Sequence, residues 1–309
     1  MRRSLWILLL IFAAVLGILC FWGRHEQSEE IASPPIEEKL PDADHSGTED
    51  TGELAKDRLA EEIMVLSSGD STRYSVYIAY PGEERPPYIY QSESMRSASM
   101  IKVFLLAAAM EKVKDGSLHM GQPIVLHSKD KVGGSGILGG YPNGFVLRLD
   151  SVLRLMITES DNTATNILID LLGMDNINAY IKEKGYNDTC LSRKMMDFAA
   201  VKNGRENYTS VRDLGCLFDR IYRHECVSYE HDEIMLSYLK EQTDKECFPS
   251  ALPETIIAHK TGELEGLYDD GGIIYLGDRA LIVVIMTENY SSRYNAIETM
   301  KSMVRAAAK

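Results

Sequence analysis

The chain has 309 residues, of which 45% are hydrophobic and 26% are charged, so it can bury the core of one large domain or two small ones. Its net charge is −13, and nine acidic residues against a single lysine lie between Gln27 and Glu53. The acidity therefore belongs mainly to one N-terminal stretch. Because no basic patch stands out elsewhere, nucleic acid is excluded as an expected partner.

The N-terminus carries an apolar run from Leu5 to Trp22, which is long enough to cross a bilayer as a helix. Arg2 and Arg3 precede the run and acidic residues follow it, an asymmetry that predicts a cytoplasmic N-terminus. We therefore predict that residues 1–23 are a membrane anchor or a signal segment. The expected location is the cell membrane, with a single pass and an extracytoplasmic domain, or secretion if the segment is cleaved.

Residues 24–53 contain three prolines and the acidic run, which predicts a disordered linker. The remaining residues, 54–309, are predicted to form the folded domain. This domain contains four cysteines, an even number that permits two disulfides or four free thiols, and their spacing does not choose between them. These cysteines are Cys190, Cys216, Cys226 and Cys247.

The predicted elements of this domain begin with a short helix around residues 59–66 and then change to strands. Strands are expected at 73–80 and 87–90, followed by a long helix from Ser99 to Lys114. Three helices come next, at 147–157, 161–172 and 174–184, and Gly173 stops the second of them. The C-terminal part returns to strands at 255–259, 272–276 and 281–286 before a last helix at 293–308. This order predicts an α+β fold, in which an antiparallel sheet is built from both chain ends and the helices lie between.

Three short motifs carry the residues of a possible active site. They are Ser99-Met100-Ile101-Lys102, Ser160-Asp161-Asn162 and Lys260-Thr261-Gly262. A serine and a lysine three residues apart share one face of a helix, and a desolvated lysine can act as the base that activates a serine. Taken singly, each motif has an ordinary structural explanation, namely a helix start, a helix cap and a lysine on an edge strand.

The order and separation of the three motifs resemble the class A β-lactamase family, within the penicillin-recognising serine enzymes. Ser160 follows Ser99 by 61 residues, and Lys260 follows Ser160 by 100. The resemblance covers nearly all of residues 54–309 and includes the context Met156-Ile157 before the second motif and Gly272-Ile273-Ile274 after the third. It implies the family's three-layer α/β/α arrangement of an antiparallel sheet and a helical domain, and it implies no cofactor.

The resemblance assigns four residues to the chemistry. Ser99 would attack the substrate carbonyl, and Lys102 would take the proton of its hydroxyl. Ser160 would pass a proton to the departing nitrogen. The backbone N–H groups of Ser99 and Glu263 would form the oxyanion hole.

The resemblance also assigns substrate-binding residues. Asn162 would bind the side-chain amide of the substrate and help to position Lys102. Lys260 and Thr261, followed by Gly262 of the same motif, would hold the substrate carboxylate.

The match fails in the Ω-loop, where the family carries a glutamate that activates the deacylating water. The corresponding segment here is Arg193–Phe198, and aligning it on Arg193 places Met195 at the position of the glutamate. Methionine cannot accept a proton, and Asp197 is the candidate for a displaced base. Asn207 stands where the family has a salt-bridging aspartate, so we expect this loop to be held differently.

We therefore expect a serine hydrolase that forms an acyl-enzyme with β-lactams and deacylates slowly. One alternative is a D-Ala-D-Ala peptidase or transpeptidase that acts on peptidoglycan stem peptides. Another is a non-turnover β-lactam-binding or sensor protein. No metal is expected, because His224, Cys226 and His231 do not have a standard zinc-ligand spacing.

Overall fold

The computed structural model describes residues 50–309. The predicted anchor lies outside the described residues, as does the predicted linker up to residue 49. The first helix begins at Asp50 and so includes the last four residues of the segment predicted to be the linker. Within residues 50–309, no helix is both long and apolar enough to cross a membrane.

The described residues form ten helices and nine strands. The helices are α1 Asp50–Ser67, α2 Ile101–Lys114, α3 Leu149–Thr158, α4 Asn162–Leu172, α5 Met174–Glu183, α6 Phe198–Lys202, α7 Val211–Tyr222, α8 Tyr229–Lys240, α9 Phe248–Ala251 and α10 Arg293–Ala307. The strands are β1 Arg73–Ala79, β2 Tyr88–Tyr90, β3 Met95–Arg96, β4 Pro123–Val125, β5 Val146–Arg148, β6 Tyr208–Thr209, β7 Ile256–Leu264, β8 Leu267–Leu276 and β9 Arg279–Glu288.

A five-stranded antiparallel sheet, ordered β2-β1-β9-β8-β7, joins the two ends of the domain. One hydrophobic core lies between this sheet and α1 and α10, and a second lies between the opposite face and the helical middle of the chain. The predicted α+β class, with the sheet built from both chain ends and helices on both faces, is confirmed. β7 lies at an edge of the sheet, where its residues can border a cleft.

α2 is the central helix of the second core. Its first ten residues, from Ile101 to Met110, are all buried, and such a helix is surrounded by other elements on every side. Lys102 is the exception in an otherwise apolar stretch, so the fold carries its side chain into the interior. This placement sets the chemistry of the site described below.

The structure corrects two element boundaries near the motifs. The expected helix from Ser99 begins at Ile101, and Ser99 itself lies in a 3₁₀ turn over residues 98–100. The expected helix from Leu147 begins at Leu149, because the residues before it pair with β4 as strand β5. In both cases tertiary contacts decide where the helix begins.

The four cysteines of the domain are free thiols.

Candidate active site

The turn that carries Ser99 is packed directly against β7. Ala98 has a φ of 41°, an unusual value for a residue with a side chain. Gly262 of β7 approaches this turn so closely that a Cβ there would lie 3.1 Å from the Cβ of Ala98 and 3.3 Å from the nitrogen of Ser99. Glycine at position 262 thus allows the edge strand to lie beside the nucleophile.

Lys102 is fully buried, and its amine contacts the second motif. Its Nζ donates to the carbonyl of Ser160 at 2.6 Å, to Ser160 Oγ at 3.1 Å and to Asn162 Oδ1 at 2.9 Å. Burial, and then the nearby Lys260, hold the pKa of Lys102 well below its ordinary value, with Asp161 opposing the shift. A neutral lysine amine is a base, so this side chain can accept a proton.

Lys260 approaches the same hydroxyl from the other side. Its Nζ donates to Ser160 Oγ at 3.0 Å and to the carbonyl of Thr261 at 2.7 Å. Burial lowers the pKa of Lys260 from 10.5 to about 7, although Asp244 and Asp270 act in the opposite direction. Ser160 therefore lies between two buried amines, which suits its hydroxyl to relay a proton.

Asp161 holds the second motif and a neighbouring loop together. One carboxylate oxygen accepts from the nitrogen of Ala164 and caps α4, while the other accepts from the nitrogens of Ile137 at 2.7 Å and Leu138 at 2.8 Å. Gly136 lies against this side chain, since a Cβ there would come within 2.4 Å of Asp161. Both carboxylate oxygens of Asp161 thus accept structural hydrogen bonds, and these bonds fix the position of Ser160.

Asn162 connects the lysine to the same loop. Its Oδ1 accepts from Lys102, and its Nδ2 donates to the carbonyl of Gly133 at 3.2 Å. A Cβ on Gly134 would lie 2.6 Å from that Nδ2, so the loop passes directly over the amide. Asn162 also lines the cleft that contains Ser99.

Ser99 lies where two clefts meet, with volumes of about 330 Å³ and about 250 Å³. Glu263 lines both of them, and the assignment of its backbone N–H to an oxyanion hole stays a prediction. The carboxylate of Glu263 is bound by Arg293, with N–O distances of 2.7 and 3.1 Å. Thr261 lines the smaller cleft.

The Ω-loop segment presents methionine to the larger cleft. Met195 is 7% exposed, and its backbone is held by Asn166, which accepts from its nitrogen at 2.8 Å and donates to its carbonyl at 3.1 Å. Asp197 instead caps α6 by accepting from the nitrogen of Ala200 at 2.9 Å. Among the described residues that line the two clefts, Met195 and Met196 are present and Asp197 is not.

The ends of this loop are held by a pair that the sequence did not reveal. Arg193 donates to Glu206 at 2.7 Å, and both side chains are largely buried. Asn207, at the position of the family's aspartate, accepts from the nitrogens of Ser192 and Arg193 at 2.8 and 3.0 Å. The loop is therefore held differently from the family's loop, because the acid that pairs with the arginine is Glu206, one residue before the family's aspartate position. The presence of an acid next to Asn207 was the sequence signal that could have revealed this pair.

His259 lies on the opposite face of β7 from Lys260, so it points away from the clefts. It forms a fully buried pair with Asp270 at 2.8 Å. In the described part of the chain, no group of three histidine, cysteine, aspartate or glutamate side chains is arranged to hold a metal ion.

Comparison with known proteins identifies the class to which this fold and site belong. Residues 58–309 match the model of the beta-lactamase enzyme family. The extended-spectrum beta-lactamase PER-1 of Pseudomonas aeruginosa is 22% identical over 264 residues, covering 81% of this chain and 86% of that protein. The solved beta-lactamase of Sphaerobacter thermophilus is 30% identical with a TM-score of 0.74, covering 81% of this chain and 95% of that one.

A third likeness is to PBP-A, solved as a variant in an acyl-enzyme complex with penicillin G. Its TM-score is 0.75 at 22% identity, with coverage of 82% of this chain and 95% of that one. At 22% sequence identity, this structural similarity establishes the shared fold alone. The chain belongs to the beta-lactamase enzyme family and is a divergent, class A-like serine hydrolase.

Proposed function

We propose that this protein forms an acyl-enzyme at Ser99 with β-lactams and releases it slowly. The hydroxyl oxygen of Ser99 attacks the lactam carbonyl, and its proton passes to the neutral amine of Lys102. As the C–N bond breaks, Ser160 donates its proton to the leaving nitrogen and is reprotonated by a lysine. The product of this step is an ester at Ser99 and a free amine on the opened ring.

The observation that carries this proposal is the position of Ser160 between two fully buried lysines. The amines of Lys102 and Lys260 lie 3.1 and 3.0 Å from its hydroxyl oxygen, and Ser99 borders the same cleft. An ordinary surface lysine would be solvated and protonated, and it would not act as a base at neutral pH. This arrangement supports a proton path from the nucleophile to the leaving group.

Slow release follows from the Ω-loop. A general base contributes about 10²–10⁴-fold to such a step, and the position of the family's glutamate is occupied by Met195. Asp197, the candidate for a displaced base, is engaged in capping α6. The acylating residues are thus present, while the group that would activate the deacylating water is replaced by an apolar side chain.

The same substitution favours a second candidate, a D-Ala-D-Ala peptidase or transpeptidase acting on peptidoglycan. Such an enzyme uses the same acylation chemistry and transfers or hydrolyses a peptide acyl group without a dedicated glutamate. PBP-A, which shares this fold, was solved as a penicillin G acyl-enzyme. Met195 is compatible with both candidates, so the substrate must separate them.

One experiment tests these proposals together. The full chain is mixed with a chromogenic cephalosporin, and product formation and intact protein mass are followed in parallel. One equivalent of product with a persistent adduct is expected, and Ser99→Ala should form no adduct. Steady fast turnover would contradict slow deacylation. A persistent adduct together with cleavage of a D-Ala-D-Ala peptide would select the peptidase. Without peptide cleavage, an adduct that decays with slow release of further product would support the slow β-lactamase, and an adduct that does not decay would select the binder or sensor.

We also propose that the domain acts outside the cytoplasm, tethered through residues 1–23. The apolar run with two preceding arginines supports this location, where both peptidoglycan and β-lactams are found. Expression of the full chain and of a chain lacking residues 1–23 tests it by membrane fractionation and protease accessibility. A full chain that remains in the soluble cytoplasmic fraction would contradict the tether.

A further inference from the structure

A further cavity adjoins the smaller of the two clefts beside Ser99. The smaller cleft is lined by Ser160, the proposed donor to the leaving nitrogen, and by Thr261 of the third motif, so it is called the leaving-group cleft below. The adjoining cavity, the distal cleft, is lined by residues of the 137–147 segment, of α3 and of the 241–243 segment. Its volume is about 590 Å³, which is within the range of sites that hold small molecules.

The distal cleft is continuous with the leaving-group cleft, because Glu159 and Thr243 line both. The backbone nitrogen and the hydroxyl of Thr243 donate to the carbonyl of Thr158 at 3.0 and 2.8 Å, so this boundary is fixed to the end of α3. Thr243 is exposed and Glu159 is half-buried. A substrate can therefore pass over the boundary from one cleft into the other.

The wall of the distal cleft is aromatic and apolar. Tyr141 and Phe145 pack edge to face with their ring centroids 4.8 Å apart. Ile137 is 45% exposed and Phe145 is 38% exposed, and Leu147 and Leu155 add apolar surface beside them. Large apolar side chains that are grouped in a cavity and left open to water mark a binding site for an apolar ligand.

This wall is tied by hydrogen bonds to the second motif. The nitrogen of Ile137 donates to the carboxylate of Asp161 at 2.7 Å, and Asp161 directly follows Ser160. The carbonyl of Phe145 accepts from the nitrogen of Leu126 at 2.9 Å, which holds the other end of the wall. The aromatic surface is thus preorganised relative to the hydroxyl that serves the leaving group.

The floor of the distal cleft is formed by α3, from Asp150 to Thr158. This stretch is about 12 Å long at 1.5 Å per residue, so a leaving group the size of one amino acid would not fill it. Its charged side chains already have partners, because Arg154 is bound to Glu241 at 2.5 Å and Asp150 accepts from the hydroxyl of Tyr238 at 2.6 Å. The cleft therefore suits a long and uncharged group.

We propose that the distal cleft is a substrate subsite that binds an uncharged aromatic arm on the leaving-group side. The inference rests on the proposed acylation of Ser99. The substrate carboxylate remains at the third motif, as the family resemblance implies. The arm extends from beside that carboxylate, across the boundary at Glu159 and Thr243, to the rings of Tyr141 and Phe145.

Cephalosporins that carry a vinyl-linked aryl group at C3 supply such an arm. Their leaving nitrogen is bonded to the carbon that bears the carboxylate, and the next carbon carries the C3 group, which is not expelled when the ring opens. Three probes share a 7-phenylacetamido acyl group and carry methyl, styryl or 4-phenylstyryl at C3. The acyl group and the carboxylate thus stay constant while the arm grows by one ring at a time.

The test measures adduct formation on the full chain by intact mass over a range of concentrations of each probe. This separates the saturation constant from the limiting rate constant, and the latter is divided by the hydrolysis rate of the probe in hydroxide to remove differences in ring reactivity. We expect 4-phenylstyryl to acylate at least about tenfold more efficiently than styryl, for about 60 Å² of apolar surface removed from water. The gain should lie in the saturation constant, because the arm is bound equally before and during the reaction.

Two variants of the distal cleft identify its role. Ile137→Ala combined with Phe145→Ala removes the exposed part of the wall, so the advantage of 4-phenylstyryl over styryl should fall at least about fivefold. Ser151→Trp fills the cleft from its floor and should remove the same advantage, and it carries the test if the first variant does not fold. Val146→Ala, at a 56% exposed position next to Phe145 and outside the lining, is the matched control and should keep the advantage.

The outcomes separate the subsite from the proposed function. If all three probes label Ser99 and the gain stops at styryl, the distal cleft does not bind the arm and the inference is wrong, while the acylation proposal stands. If the gain survives in every folded variant of the cleft, another surface causes it and the inference is overturned. If no probe labels Ser99, the proposed function itself fails, and the inference fails with it.

Discussion

Replacing Lys260 by methionine is expected to stabilise the fold near pH 6 and to destabilise it near pH 10. The amine is fully buried, and its pKa falls from 10.5 in the unfolded chain to about 7 in the fold. Between these two values the unfolded chain binds a proton that the folded protein does not, so stability rises with pH across that window. Below pH 7 both states are protonated, and the folded protein bears the full cost of a buried ammonium.

The magnitude follows from the size of the shift. A drop from 10.5 to about 7 corresponds to about 5 kcal/mol at 1.36 kcal/mol per pH unit. Methionine removes this cost but also removes the hydrogen bonds to Ser160 Oγ and the carbonyl of Thr261, about 1 kcal/mol each. The variant should therefore be more stable than the native protein by about 3 kcal/mol at pH 6 and less stable by about 1 kcal/mol at pH 10.

Urea unfolding of both proteins at pH 6, 8 and 10 measures this difference. Burial is the main cause of the low pKa of Lys102, but Lys260 also lowers it, so this pKa should rise in the variant and add to the gain in stability near pH 6. Lys182→Met, at an exposed position on α5, is the control and should change stability by under about 0.5 kcal/mol at every pH. A difference that stays constant from pH 6 to pH 10 would refute the reasoning. Acylation should fall at least about a hundredfold in Lys260→Met, because Ser160 loses a proton donor.

Three further substitutions test the site. Met195→Glu should shorten the adduct lifetime by about 10²-fold, since it supplies a general base, while the matched Met195→Gln should not; equal effects of the two would exclude base catalysis. Gly262→Ala brings a methyl group within 3.1 Å of Ala98, so it should destabilise the fold by about 1–2 kcal/mol, measured by thermal unfolding. The displaced turn should also slow adduct formation at least about tenfold, measured by intact mass. Native rates would show that the turn beside Ser99 adapts freely. Asp197→Asn should preserve the cap of α6 and leave both steps within about twofold, whereas Asp197→Ala should cost about 1 kcal/mol in urea unfolding; a longer adduct lifetime in Asp197→Asn alone would restore Asp197 as the base.

The limits of sequence reasoning are clearest in the Ω-loop. Alignment on Arg193 places Met195 at the position of the family's glutamate, and the structure shows that Met195 lines the larger cleft. The alignment could not show that Asp197 would be used to cap α6, since a cap depends on where the next helix begins. Nor did it show Glu206, whose pairing with Arg193 closes a loop over 13 residues.

The sequence by itself determined the family, the α+β class and the chemical types at the three motifs. Hydrophobic periodicity is set by neighbouring residues, and motif spacing is set by the elements between them. Only the tertiary structure brought the amines of Lys102 and Lys260 to the same hydroxyl of Ser160 and buried them there, which lowers the pKa of both. A pKa depends on burial and on partners that lie 58 to 100 positions away along the chain, and only the packed fold brings those groups within 3 Å of one another.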